Sequence, residues 1–177
     1  FVWLLKPEKD FTLTSILNQI KAIKQRYGLE YFVIDAWNKI EHADDKTSYI
    51  GKCLDEIVTF CEINNVHCFL VAHPTKIKKN MNTGKYEVPT LYDIAGSANF
   101  YNKADNGICV YRDFEEQKTY VHIQKIKFDH WGTESCAVFT YDVKSKRYQS
   151  DTPDLGSWLN PKSLYNEMIE YVNGKPK

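Results

Sequence analysis

The stretch Tyr31-Phe32-Val33-Ile34-Asp35 sets the fold class. Four consecutive aromatic or β-branched residues make a continuous apolar run rather than an alternating one, the pattern of a central parallel strand covered on both faces. The run stops at a carboxylate, and the carboxyl end of such a strand is where open α/β sheets bind ligands. Upstream, Leu13, Ile16, Leu17, Ile20 and Ile23 recur at helical spacing, with Thr12 placed to cap the start and Gly28 to close the end. Downstream, Ile50, Leu54, Ile57, Val58 and Cys61 predict a helix over 48–64, with Asn64-Asn65 as its stop. A second buried strand, His67-Cys68-Phe69-Leu70-Val71-Ala72, ends at His73-Pro74, where proline halts the ladder.

Residues 75–90 change character. Lys76, Lys78, Lys79, Asn80, Asn82, Gly84 and Lys85 make a polar, basic stretch with little apolar periodicity, which predicts a mobile loop. A short helix is expected over 91–103. Beyond it the periodicity shifts to strands over 107–112, 119–127 and 134–142, with a last short strand around 147–149 and turns at 114–117 and 144–146. Alternating helices and strands that give way to a meander predict an α/β fold: a mostly parallel sheet flanked by helices, with antiparallel strands at one edge. Residues 1–150 read as one domain and 151–177 as a C-terminal helical tail, amphipathic over 161–172 and lysine-rich at its end.

Composition narrows the function classes. The 177 residues are 43% hydrophobic and 26% charged, ordinary for a globular domain with a real core. Lys plus Arg and Asp plus Glu both number 23, so no global field draws in a polyanion and any nucleic-acid contact must be local. No apolar run approaches the roughly 20 residues that cross a bilayer, and Lys6-Pro7-Glu8 breaks any signal-peptide pattern, so no membrane association and a cytoplasmic location are expected. The cysteines (Cys53, Cys61, Cys68, Cys109 and Cys136) are odd in number and contain no CxxC pair, which reads as reduced core thiols. Phe1-Val-Trp-Leu-Leu, with no initiator Met, reads as the inside of a buried strand, so the chain is expected to be a fragment.

Two strand ends carry chemistry. In a nucleotide hydrolase a carboxylate at the position of Asp35 holds Mg²⁺, usually through water. His73 repeats the geometry one βα unit later, where an imidazole can sense a γ-phosphate. Each pattern taken alone also fits a turn-forming aspartate or a hydrogen-bonded structural histidine.

Four motifs in order are more specific than either residue. They are Ile34-Asp35-Ala36-Trp37-Asn38-Lys39-Ile40-Glu41-His42, then Phe69-Leu70-Val71-Ala72-His73-Pro74, then the block from Leu91-Tyr92-Asp93-Ile94-Ala95-Gly96-Ser97 to Ala104-Asp105-Asn106, then Gln124-Lys125-Ile126-Lys127-Phe128-Asp129-His130-Trp131-Gly132. Together, over about 1–149, they resemble the motifs C-terminal to the Walker A loop in the RecA-like core of DnaB-like replicative DNA helicases, the phage primase-helicase branch above all. The resemblance implies an ATP-driven helicase motor that uses ATP and Mg²⁺, acts on single-stranded DNA and assembles as a homo-oligomer, a hexameric ring at full length. It casts Asp35 as the Walker B aspartate and His73 as the γ-phosphate sensor. It likens the loop with Lys76, Lys78, Lys79 and Lys85 to the channel-lining DNA loop, and Gly96-Ser97 to another channel-facing segment. Lys125 and Lys127 resemble paired basic fingers reaching into a neighbour's nucleotide site. The family usually has Arg at the second of these, and Lys lacks the planar fork that grips phosphate bidentately. Arg112 and Tyr141 match positions that sandwich a nucleotide base.

By the residues themselves, the basic loop also fits a solvated surface, Gly96-Ser97 a plain helix start and Tyr141 a structural role. No GxxxxGK[ST] loop occurs in the 177 residues, and no strand-end Glu stands out to activate water. The resemblance puts both upstream of Phe1, so the 177 residues alone are expected not to hydrolyse ATP. Two other readings stay open. One is a RecA-type recombination or regulatory ATPase, against which the Lys-x-Lys segment and the 96–105 block argue; the other is a non-enzymatic module that binds single-stranded DNA.

Overall fold

The computed structural model describes residues 4–6, 10–41, 47–75, 79–81, 84, 86–95, 97–128, 130 and 132–151. The chain divides into two compact units, Phe1–Gly107 and Ile108–Lys177.

In the first unit, helix α1 (Leu13–Tyr27) starts and stops where the sequence signals it. Thr12 accepts the Ser15 N–H at 3.3 Å, its own N–H donates to Asp10 Oδ1 at 2.9 Å, and Lys24 and Arg26 lie in the last turn, where cations oppose the helix dipole. Gly28 ends the helix at φ +72°, its N–H bonded to the Lys24 carbonyl at 2.9 Å. Strand β1 (Tyr31–Asp35) pairs in parallel with β2 (His67–Val71), in a register that sets Tyr31 against His67 and Asp35 against Val71. Helix α2 (Thr47–Asn64) joins them. After β2 come a 3₁₀ turn (Leu91–Asp93) and helix α3 (Ser97–Lys103).

One core forms on one face of this parallel pair. Leu13, Leu17 and Ile20 of α1, Phe32 and Ile34 of β1, and Ile50, Cys53, Leu54 and Ile57 of α2 meet Trp37, Ile40 and Phe100 there. Phe32 sits edge-on to Phe60 at 6.0 Å and Trp37 to Phe100 at 5.6 Å, contacts worth about 1 kcal/mol each beyond area burial. The opposite face differs from expectation. Tyr31 is 61% and Val33 58% exposed, and Phe69 and Val71 are exposed beside them. A strand covered on both faces needs a second layer, and among the described residues both long helices pack on the first.

Three further expectations change. The helix expected over 91–103 is two pieces, because Ile94 turns to extended backbone and bridges Pro74 in antiparallel fashion. Of the strand expected at 1–5, residues 1–3 lie outside the described residues, and Leu4 and Leu5 are exposed and form no strand. The tail helix over 161–172 also lies outside them.

The second unit is an antiparallel meander. Strands β3 (Asn106–Asp113), β4 (Lys118–Ile126), β5 (Ser135–Asp142) and β6 (Arg147–Ser150) come in succession in a four-stranded sheet ordered β3-β4-β5-β6. Gln117 and Lys146 take positive φ in the two hairpin turns. Asp142 accepts the Lys144 N–H at 2.9 Å and the Ser145 hydroxyl at 2.7 Å in the second, a turn in which a short acidic side chain stands in for a backbone acceptor.

Candidate functional site

Parallel pairing and register put Asp35 and His73 at the same end of adjacent strands. Asp35 is the last residue of β1 and stands opposite Val71, the last of β2, while His73 lies two residues beyond Val71. Neighbouring strands run about 4.8 Å apart, so carboxylate and imidazole share one sheet edge, at the carboxyl ends of the strands. Both residues are exposed. Ala36, joined to Asp35 by a cis peptide, and Trp37 turn back into the core, so the strand end is anchored immediately behind the carboxylate.

The chain after His73 is tied down at once. Thr75 donates to the Asp93 carbonyl twice, from its N–H at 2.7 Å and from its hydroxyl at 2.8 Å, next to the Pro74–Ile94 bridge. The Asp93 carboxylate in turn accepts the Thr90 N–H at 2.7 Å and the Thr90 hydroxyl at 2.9 Å, while the Thr90 hydroxyl oxygen accepts the Tyr92 N–H. This reciprocal cap closes the base of the basic loop against the end of β2. Asp93 was not singled out as a site residue from the sequence, yet the Thr-x-x-Asp spacing at Thr90 to Asp93 is a capping-box pattern and could have marked it. Within the loop Lys79 bridges Tyr86, and its ammonium lies 5.7 Å from the centre of that ring. Lys76, Lys78 and Lys85 lie outside the described residues, as does Gly96; Ser97 opens α3.

The 96–105 block serves the fold as well. Asn99 donates to the Thr47 carbonyl at 2.8 Å, Phe100 is in the core, and Lys103 pairs with Asp55.

In the second unit Arg112 and Tyr141 come together. Arg112 on β3 and Tyr141 on β5 flank β4; the guanidinium carbon is 5.8 Å from the Tyr141 ring centre and 5.0 Å from that of Phe114. Tyr148 lies 4.9 Å from Tyr141, across the β5–β6 register. Lys125 is half-buried in β4, and Lys127, one residue past its end, is exposed with its ammonium 5.3 Å from the Phe128 ring centre. Asp129 and Trp131 of the same motif lie outside the described residues.

Among the described residues no three His, Cys, Asp or Glu side chains gather to hold a metal. Mg²⁺ in nucleotide sites is held by one or two carboxylates together with water and substrate phosphates, and a single exposed strand-end carboxylate fits that mode. A cleft of about 540 Å³ between the start of α1 and α2, lined by Thr12, Glu41, Tyr49 and Glu56 among others, contains none of the candidate residues. No described helix is long and apolar enough to cross a membrane.

No family model matches the chain. Among curated proteins, it is 33% identical over 147 residues to the Twinkle homolog protein, chloroplastic/mitochondrial, of Arabidopsis thaliana, a match covering 78% of this chain and 20% of that protein. The chain therefore spans a fifth of the length of this relative. Among solved structures, the ATPase domain of a DnaB-like helicase superposes with a TM-score of 0.63 at 15% identity, over 77% of this chain and 50% of that one. At that identity the likeness shows the fold, a RecA-like ATPase domain.

Proposed function

Since the chain belongs by its RecA-like core with the DnaB-like helicases, we propose that it is part of an ATP-driven DNA helicase motor, in which hydrolysis of Mg·ATP bound between subunits of a ring moves single-stranded DNA. The observation that carries the reading is the pairing of Asp35 and His73 at one strand edge, with the base of a basic loop hydrogen-bonded just behind His73.

Each residue has a physical task. Asp35 would hold Mg²⁺, which offsets the charge of the β- and γ-phosphates. His73 would feel the γ-phosphate through a hydrogen bond made before hydrolysis and lost after it. Because Pro74 and Thr75 are fixed to Ile94 and Asp93, a small shift of His73 moves the loop base as one piece. The lysines of that loop, Lys76, Lys78, Lys79 and Lys85, would ride on it and contact DNA phosphates, with the segment at Gly96-Ser97 beside them. Lys125 and Lys127 would reach the nucleotide of a neighbouring subunit, and Arg112 with Tyr141 would flank a base. Phosphate cradling and activation of the attacking water fall outside these 177 residues, in which no Walker A loop occurs.

The test uses the longer protein that contains this chain. Asp35→Ala and His73→Ala should each lower DNA-stimulated ATP hydrolysis by about a hundredfold or more, the scale of losing a preorganised electrostatic group, with unchanged circular dichroism because both side chains are exposed. Normal unwinding by either variant overturns the reading.

A further inference from the structure

The end of α2 makes a tight reversal. Asn65 takes φ +47°, the Val66 N–H donates to the Cys61 carbonyl at 3.1 Å, and the Asn65 N–H donates to the Glu62 carbonyl at 3.3 Å. This is the Schellman pattern, with Cys61 in the last helical turn and Val66 closing over it. The chain then enters β2, and the His67 N–H donates to Glu30 at the start of β1. The N–H of Cys68 consequently faces away from β1, back toward the end of α2. There it meets Cys61: both the Cys68 thiol and the Cys68 backbone N–H hydrogen-bond to the Cys61 sulfur. The two cysteines are half-buried against the edge of the core, so small oxidants can reach them, whereas Cys53 of the same helix is buried.

We propose that Cys61 and Cys68 are an oxidation site that forms a reversible disulfide, fastening the last turn of α2 to the first residues of β2. The bonds donated by Cys68 favour thiolate at Cys61 and hold its thiol below the ordinary range, while the bond it donates and its burial push the Cys68 thiol up. Cys61 is therefore the attacking sulfur. With a small disulfide such as glutathione disulfide as oxidant, the Cys61 thiolate attacks one of its sulfurs, a mixed disulfide forms and one glutathione thiolate leaves. Cys68 then gives its proton to solvent and attacks the Cys61 sulfur; the mixed disulfide breaks and the second glutathione leaves. Two protein thiols are oxidised as one glutathione disulfide is reduced to two glutathiones. The second step is fast because the thiols already touch and only residues 62–67 separate them. The bond shortens the sulfur separation to about 2.0 Å and so stiffens the entry to the strand that leads to His73.

Peptide mapping of the 177-residue chain tests this. After exposure to glutathione disulfide, remaining thiols are blocked with N-ethylmaleimide and the chain is cut after glutamates, which leaves Cys53 on 42–56, Cys61 on 57–62 and Cys68 on 63–87. The expected product is 57–62 linked to 63–87, released by dithiothreitol and unaffected by Cys53→Ser. Cys68→Ser should stop at a glutathione adduct on Cys61, and Cys61→Ser should leave Cys68 carrying the maleimide. The proposal is overturned if both wild-type peptides carry maleimide, if glutathione stays on Cys61, or if Cys61 links to another cysteine. The wild-type map decides this even if a serine variant fails to fold.

Discussion

The guanidinium of Arg112 stacks over Tyr141, 5.8 Å from the ring centre, so two residues 29 positions apart in sequence meet from the strands on either side of β4. An exposed cation–π contact contributes about 0.5–1 kcal/mol. Arg112→Ala and Tyr141→Ala should therefore couple by about that amount in a double-mutant cycle read by urea unfolding. Arg112→Lys should recover only part of it, since the planar face is lost. Strict additivity means that the contact contributes nothing. If the pair also flanks a nucleotide base, each alanine variant should weaken nucleotide binding by the longer protein as well.

Lys127 is where the chain departs from the arginine usual in the family it resembles. Its ammonium is exposed just beyond the end of β4, whereas Lys125 is half-buried within the strand. Lys127→Ala in the longer protein should leave ATP binding in place and lower kcat, because such a group acts on charge that develops in the transition state. Mixing variant with wild-type subunits should depress activity out of proportion to the fraction added. Lys127→Arg should match or exceed wild type. A small loss, linear in dose, would move the finger assignment to Lys125.

Asn99 and Gly51 are mutually dependent. A Cβ at Gly51 would lie 3.1 Å from Asn99 Oδ1, and Asn99 holds α3 to α2 through the Thr47 carbonyl. Asn99→Ala should cost about 1 kcal/mol through the lost hydrogen bond. Gly51→Ala gains about 1 kcal/mol of helix propensity, offset in the wild type by displacing Asn99 and unopposed in Asn99→Ala. Thermal unfolding of the four variants reads this, and equal effects of Gly51→Ala in both backgrounds would refute it.

Asp151 accepts hydrogen bonds from the Lys118 ammonium at 2.7 Å and from the Thr140 hydroxyl, the closer oxygen at 2.8 Å. The first of these chiefly holds its carboxyl below the usual carboxylate range. A depressed folded pKa means that the stabilisation is present above the unfolded value of about 3.9 and is lost as pH falls through the folded value. The Asp151 carboxyl carbon should therefore titrate below that range by NMR, and Lys118→Met should raise its midpoint. An unmoved midpoint would show that Lys118 does not set it.

Local chemistry was legible in the sequence. Thr12 and Gly28 bound α1, Asn64-Asn65 ends α2, and the strand, turn and helix patterns gave the α/β class with its later meander, because caps, period and turn residues act within a few positions. Asp35 and His73 were recognisable as strand-end residues for the same reason. What neighbours what was decided by tertiary structure. The Asp35–Val71 register, the contact of Arg112 with Tyr141, the hub at Asp93 and the meeting of Cys61 with Cys68 depend on how separate elements dock. The burial of β1 shows the same limit: Tyr31 and Val33 are as apolar as Phe32 and Ile34, but among the described residues the helices lie on one face, and packing, which hydrophobic periodicity does not encode, chose which residues are covered.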